Sequence, residues 1–153
     1  MQRRCASKNI SAKFCPNAVF GGRWQPVILK HNIMATSAFF LVVSGSRNFS
    51  NSKIINKHLQ SALQKQPNLV LVSGGAKGAD RLVQQWAVSN HVPCLVVPAK
   101  WHQFGKAAGP IRNNFMLAMG QGLLAFPLAS SKGTISVIKS AKKLGLPTKV
   151  VQS

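Results

Sequence analysis

The chain has 153 residues, with 20 Lys and Arg against a single acid, Asp80, and a formal charge of +19. One carboxylate excludes chemistry that needs two, such as paired-acid glycoside hydrolysis, an EF-hand or a two-metal centre held by Asp and Glu, and it points instead to an anionic partner. The length suits one domain, a hydrophobic content of 46% suffices for a core, and no apolar run approaches the roughly 18 residues of a membrane span.

Residues 1–34 show no periodicity. They carry Arg3, Arg4, Lys8, Lys13, Arg23 and Lys30, and Pro16, Gly21, Gly22 and Pro26 interrupt any helix. They read as a basic, disordered leader, with Met34 a plausible alternative start. An organelle presequence and a nucleic-acid-binding arm are the competing readings. Residues 35–153 form the expected domain. They still hold fourteen basic residues against Asp80, so the leader does not account for the charge.

From residue 38 onward, strands and helices alternate. Ala38–Val43 is a continuous apolar run, as expected of a strand buried on both faces. Residues 51–65 place Ile54, Ile55, Leu59, Ala62 and Leu63 at helical spacing, capped by Asn51 or Ser52. Leu69–Val72 is a second strand. The helix after it puts Leu82, Val83, Trp86 and Ala87 on one face, with Trp86 in the core. Val92–Val97 is a third strand, and residues 99–109 read as a loop. Pro110–Met119 is a helix with proline in its first turn. Leu123–Phe126 is a fourth strand, followed by a helix from Ser130–Gly133 to Leu144. Gly145 and Pro147 stop that helix before a fifth strand at Thr148–Val151. This alternation implies an α/β fold: a Rossmann-like, doubly wound, mainly parallel five-stranded sheet with helices on both faces.

Cys5, Cys15 and Cys94 form no CxxC pair, which fits a reducing compartment. Cys94 reads as a buried apolar residue in mid-strand. His31, His58, His91 and His102 lack metal-ligand spacing, so no metal or other cofactor is expected. Phe104, Phe115 and Met116 read as packing residues.

Three small-residue turns follow strands one, two and four: Gly45-Ser46-Arg47, Gly74-Gly75-Ala76-Lys77-Gly78 and Ser130-Ser131-Lys132-Gly133-Thr134. In such a sheet a ligand sits beyond the carboxyl ends of the strands. Glycine admits a phosphate closely, helix N-termini aim free N–H groups at it, and an arginine can grip it with two parallel hydrogen bonds. Each turn alone is equally at home as a plain chain reversal. None is a Walker A loop or a full GxGxxG.

Val43-Ser44-Gly45-Ser46-Arg47-Asn48-Phe49 and Gly74-Gly75-Ala76-Lys77-Gly78-Ala79-Asp80-Arg81 resemble the YspA/cpYpsA-related branch of the SLOG superfamily, common in bacteria and their phages. So do Pro98-Ala99-Lys100-Trp101, Gly105–Asn113 with Met116, Ala125-Phe126-Pro127, Ser131-Lys132-Gly133-Thr134 and the stretch from Ala141 to Pro147. The resemblance spans about residues 38–151. It implies a Rossmann-like domain that binds a nucleotide or nucleotide-derived ligand. Its relatives include the LOG phosphoribohydrolases and a DNA-processing protein that loads single-stranded DNA.

The candidate ligand and phosphate contacts follow. They are Gly45, Ser46 and Arg47; then Gly74, Gly75, Ala76, Lys77, Gly78, Asp80 and Arg81; then Trp101, Lys106, Gly109, Arg112 and Asn113; then Ser131, Gly133 and Thr134. Trp101 would stack on a base or seal the core. Asp80 would accept from a ribose or base, orient Arg47 or Arg112, or serve the helix dipole. Where the resemblance implies further acids, this chain has Asn48, Asn51, Gln84, Gln85, Lys100 and Gln121. The catalytic Glu of the LOG loop falls on Val137, which cannot transfer a proton.

The first expectation is a binding module for a nucleotide-like small molecule, acting as a sensor, a scavenger or a component of a signalling or conflict system in the cytoplasm of a bacterial or phage-infected cell, as a monomer or a homo-oligomer. The second is a phosphoribohydrolase-like enzyme with Asp80 as its one candidate catalytic carboxylate. The third is nonspecific nucleic-acid binding through the basic surface, weighed against a charge that reflects biased composition alone.

Overall fold

The apolar run beginning at Phe39 forms the centre of the sheet. The computed structural model describes residues 37–129 and 131–152. The expectations for residues 1–34, Cys5, Cys15 and Ser130 lie outside the described residues.

Strand β1 (Phe39–Gly45) is followed by α1 (Ser52–Lys65), β2 (Leu69–Ser73), α2 (Ala79–Ser89) and β3 (Cys94–Val96). Next come a short α3 (Trp101–Phe104), one 3-10 turn (Gly105–Ala107), α4 (Ala108–Met119), β4 (Gly122–Phe126), α5 (Lys132–Lys143) and β5 (Thr148–Val150). The strand order is β3-β2-β1-β4-β5, and every pair is parallel. The chain therefore reverses direction across the sheet between β1 and β4, where Gly45 lies level with Phe126. This is the topology in which a crevice opens at the strand ends.

The double-sided burial expected of the first strand is present. Val42 and Val43 are both fully buried, and their side chains enter different cores because successive strand residues face opposite ways. Val43, Leu71 and Phe126 pack with Ile55 and Leu59 of α1 and Val83 and Trp86 of α2. Val42, Val72, Leu123 and Ala125 pack with Met116 and Leu117 of α4 and Val137 and Ala141 of α5. Trp86, 6% exposed, is a core residue as its helical spacing implied. Asn51 caps α1 by accepting a hydrogen bond from the Ile54 amide at 3.2 Å.

Four details differ from the sequence reading. Residues 101–107 are helical rather than a loop, with Gly105 at φ 49° turning the chain from α3 toward α4. Strand β3 has three residues, not six; Pro93 cannot donate to the ladder, and β3 pairs on one side only. Cys94 opens that strand half-buried rather than lying buried in mid-strand. Phe104 and Phe115 are exposed: the single turn of α3 buries none of its residues, and the buried side of α4 runs through Ala108, Met116 and Leu117.

Among the described residues no helix is long and apolar enough to cross a membrane, and no cluster of His, Cys, Asp or Glu could hold a metal ion.

Candidate functional site

The turn after β1 is built around Ser46. Its amide donates to the Phe126 carbonyl at 3.0 Å, tying the turn to β4. Its carbonyl accepts from the Ala79 amide at 3.1 Å and from Phe49 at 3.2 Å. Its hydroxyl accepts from the Asn48 amide at 3.3 Å. The turn is thus fastened to the start of α2. That fit leaves no room for side chains: a Cβ on Gly45 would collide with Ala79, and one on Gly78, already at φ 76°, with the Ser46 and Arg47 carbonyls. Arg47 stands exposed at the rim.

The turn after β2 points inward. The Ala76 amide donates to Asp80 Oδ2 at 3.1 Å, and the Gly75 amide reaches the Ser73 hydroxyl at 3.4 Å. Asp80, in the first turn of α2, is 5% exposed, and its Oδ1 has no hydrogen-bond partner among the described residues. Burial pushes its carboxyl above the ordinary carboxylate range. The Ala76 hydrogen bond, the Arg112 charge, and the Gly74 and Gly45 amides, which face the carboxyl without reaching hydrogen-bond geometry at Oδ1, oppose that push.

Arg112 crosses from α4 to the strand ends. Its Nη1 donates to the Gly74 carbonyl and to the Val97 carbonyl, the latter at 3.2 Å, and its Nε donates to Asn113 Oδ1 at 2.8 Å. Burial lowers its pKa and nearby Arg47 adds to this, while Asp80 works the other way.

Helix α5 begins at the opposite side. Ser131 precedes it but does not cap it: its hydroxyl accepts from the Leu128 amide at 3.1 Å. The first-turn amides of Lys132, Gly133 and Thr134 therefore have no partner within the helix. Apart from its chain neighbours and its own helix backbone, no atom of the described residues lies within 4 Å of where a Gly133 Cβ would stand. Helix α4 also starts without a side-chain cap, and Trp101, 50% exposed, lies against its Gly109, 3.2 Å from a would-be Cβ.

These pieces enclose a cavity of about 520 Å³. It brings together Gly45, Ser46, Arg47, Ala76 and Asp80 with Trp101, Gly109, Arg112 and Asn113, and with Ser131, Gly133 and Thr134. Gly74, Gly75, Lys77, Gly78, Arg81 and Lys106 are not among its lining. Gly74 and Gly78 instead shape the wall by admitting Arg112 and the β1 turn. Ser44, Asn48, Pro110, Lys132 and Ser136 join the lining beyond the expected set. Asn48, Pro110 and Lys132 lie inside the motifs already singled out, and Ser136 could have been found three residues past Gly133 on the same helical face. Val137, onto which the resemblance would place the LOG Glu, is buried in the core against α4.

Comparison with known proteins follows the same outline. Residues 40–104 match the model of the YspA, cpYpsA-related SLOG family. The Gene 61 protein of Mycobacterium phage D29 is 36% identical over 114 residues, covering 70% of this chain and 91% of the phage protein. Two solved structures share the fold at 20% identity. One is DNA processing protein A (DprA) from Streptococcus pneumoniae, with TM-score 0.64 over 75% of this chain and 50% of that one. The other is DNA processing protein A from Helicobacter pylori, described for its single-stranded DNA binding mode, with TM-score 0.59 over 73% of this chain and 64% of that one. The chain therefore spans less than two thirds of each DprA chain, but nearly all of the phage relative. With its motifs in order along one parallel sheet and this identity to the phage protein, the chain belongs to the YspA, cpYpsA-related SLOG family.

Proposed function

We propose that the cavity binds a nucleotide or nucleotide-derived ligand. One observation carries this reading: the uncapped first turn of α5 borders the cavity at a glycine whose missing side chain would meet, beyond its own helix and neighbours, no atom of the described residues. Free amides, the helix dipole and close backbone approach together suit a phosphate group. Arg47 and Lys132 add positive charge at the same opening. Trp101 offers a half-exposed indole face for a base. On this reading the protein is a sensor, scavenger or signalling component rather than a LOG-type hydrolase, since a core valine stands where the resemblance would place the LOG Glu.

Calorimetric titration of the full chain with a panel of nucleoside mono-, di- and triphosphates tests this, together with native mass spectrometry for a co-purifying nucleotide. Saturable binding that Gly133→Ala weakens is expected. A silent panel with no co-purifying mass overturns the reading.

A second reading, single-stranded nucleic acid, is favoured by the charge of +19 and by the DprA fold neighbours, one of them described as binding single-stranded DNA. Fold likeness alone is a weak warrant for function. Salt separates the two readings. A strand held at many phosphates loses about 10³–10⁵ in affinity between 50 and 200 mM salt, whereas a single nucleotide shows a far shallower slope.

A further inference from the structure

Helix α4 is apolar on both sides. Ala108, Met116 and Leu117 are buried, whereas Ile111, Phe115 and Ala118 stand exposed at i, i+4 and i+7 along its outer side. Phe115 is 56% exposed and Ile111 47%. A helix apolar all round is normally covered all round, so the outer side calls for a partner. Two elements adjoin it: α3, whose Trp101 lies on Gly109, and β3, just past which Arg112 reaches the Val97 carbonyl. They add exposed Phe104 and Leu95. At roughly half of about 200 Å² each, Leu95, Phe104, Ile111 and Phe115 leave on the order of 400 Å² of apolar surface in water. That is the apolar share of a face of about 600 Å² per partner, the lower bound for a specific interface.

Charge decides what covers this face. The chain sets 20 Lys and Arg against one acid, and that acid is buried, so two copies cannot meet through ion pairs and most of their surfaces repel. Helices α1, α2 and α5 expose cations, among them Lys57, Arg81 and Lys139. The one charged residue of α4, Arg112, is turned to the Gly74 and Val97 carbonyls. Among the described helices longer than one turn, α4 alone offers a second copy an uncharged outer side. An acidic partner would be drawn to the other three. We propose that α4 is the self-association face of this protein, with two copies packed about a two-fold axis that pairs the Phe115 rings and sets each Ile111 against the partner's Ala118. Such a face is self-complementary, with large against small at its ends and an aromatic pair at its centre. It stands apart from the nucleotide reading.

Sedimentation velocity on the nuclease-treated full chain, from about 1 to 100 μM, tests this. A reversible monomer–dimer equilibrium is expected. Added salt should tighten it, because salt screens the like charges around an apolar contact. Phe115→Lys and Ile111→Lys each bring a cation from both copies into the contact. Each should weaken the dimer about a hundredfold or more with little change in Tm, since both positions are exposed. Val88→Lys, on the exposed side of α2, should leave the dimer as it was. A monomer throughout overturns the proposal and leaves the face to another occupant. A dimer that salt weakens, one that folded Phe115→Lys and Ile111→Lys proteins retain, or one that Val88→Lys weakens equally overturns it too. Should neither α4 variant fold, the salt dependence of the wild type decides.

Discussion

Arg112 and Gly74 meet as guanidinium and bare backbone: Nη1 donates to the Gly74 carbonyl, and a side chain on Gly74 would occupy the space of the guanidinium itself. The same nitrogen reaches Val97, so one side chain on α4 holds the ends of β2 and β3 together. Arg112→Ala should leave two carbonyls unpaired and cost about 1–3 kcal/mol of stability, read as a drop of several degrees in Tm. Arg47 is exposed and makes no such bridge. Arg47→Ala should stay within about 0.5 kcal/mol of the parent in stability while weakening nucleotide binding. Thermal melts and titrations on the two variants check this split. Equal Tm values for both would contradict it.

Two glycines should respond oppositely to one added methyl. Gly78 has φ 76° and abuts the Ser46 and Arg47 carbonyls, so Gly78→Ala should destabilise strongly. Gly133 sits in the first turn of α5 facing open space, so Gly133→Ala should leave Tm unchanged or slightly higher, given alanine's better helix propensity. Its phenotype should be lost binding. A Gly133→Ala protein with full nucleotide affinity would move the phosphate away from α5.

Trp101 is half-exposed, belongs to neither apolar core, and lies on Gly109. Trp101→Ala should reduce nucleotide affinity by the roughly 1–3 kcal/mol of a base–aromatic stack, with little change in Tm. Quenching of tryptophan fluorescence in wild type, absent in the variant, provides the optical check.

The contribution of Asp80 to the pH dependence of stability should run opposite to that of most carboxylates. Burial raises the Asp80 pKa above its ordinary 3.8, so the folded state holds the proton more tightly than the unfolded chain. Protonation therefore favours folding. The Asp80 contribution should improve as pH falls through the raised pKa, and level off below 3.8. His58 pulls the other way: burial, then Lys149 and Lys57, lower its pKa, so acidification costs stability there. Comparing wild type with Asp80→Asn across pH cancels the histidines. The Asn variant should be relatively more stable near neutrality and lose that advantage in acid. A wild type that instead weakens relative to Asn as pH falls would show a depressed Asp80.

The sheet and its two cores were legible because burial on both faces demands unbroken apolar runs such as 38–43, and because helices covering them must repeat as Ile55 and Leu59 do. The turns carrying the site were legible from glycines whose backbone must approach a neighbour, as at Gly45 and Gly78. Helix α3 was not, since its four residues are too few to show a period. Nor was the Arg112 bridge: its partners are main-chain carbonyls 38 and 15 residues away, which have no side-chain signature. The inward-turned amide of Ala76 escaped for the same reason. A glycine-rich turn that serves a buried carboxylate looks in sequence like one that serves a phosphate.

The register that sets Gly45 beside Phe126 joins positions roughly 80 residues apart in the chain. The cavity draws its walls from both ends of that span: the β1 turn at one end, and α5 just past the other. Contacts so distant make for slow folding. Occupancy of the cavity therefore reports on the whole domain at once. A bound ligand at a hundred times its Kd should lift global stability by about 2.7 kcal/mol. A fragment ending after β3 should have no affinity at all, even though it carries Gly45, Arg47 and Asp80 intact.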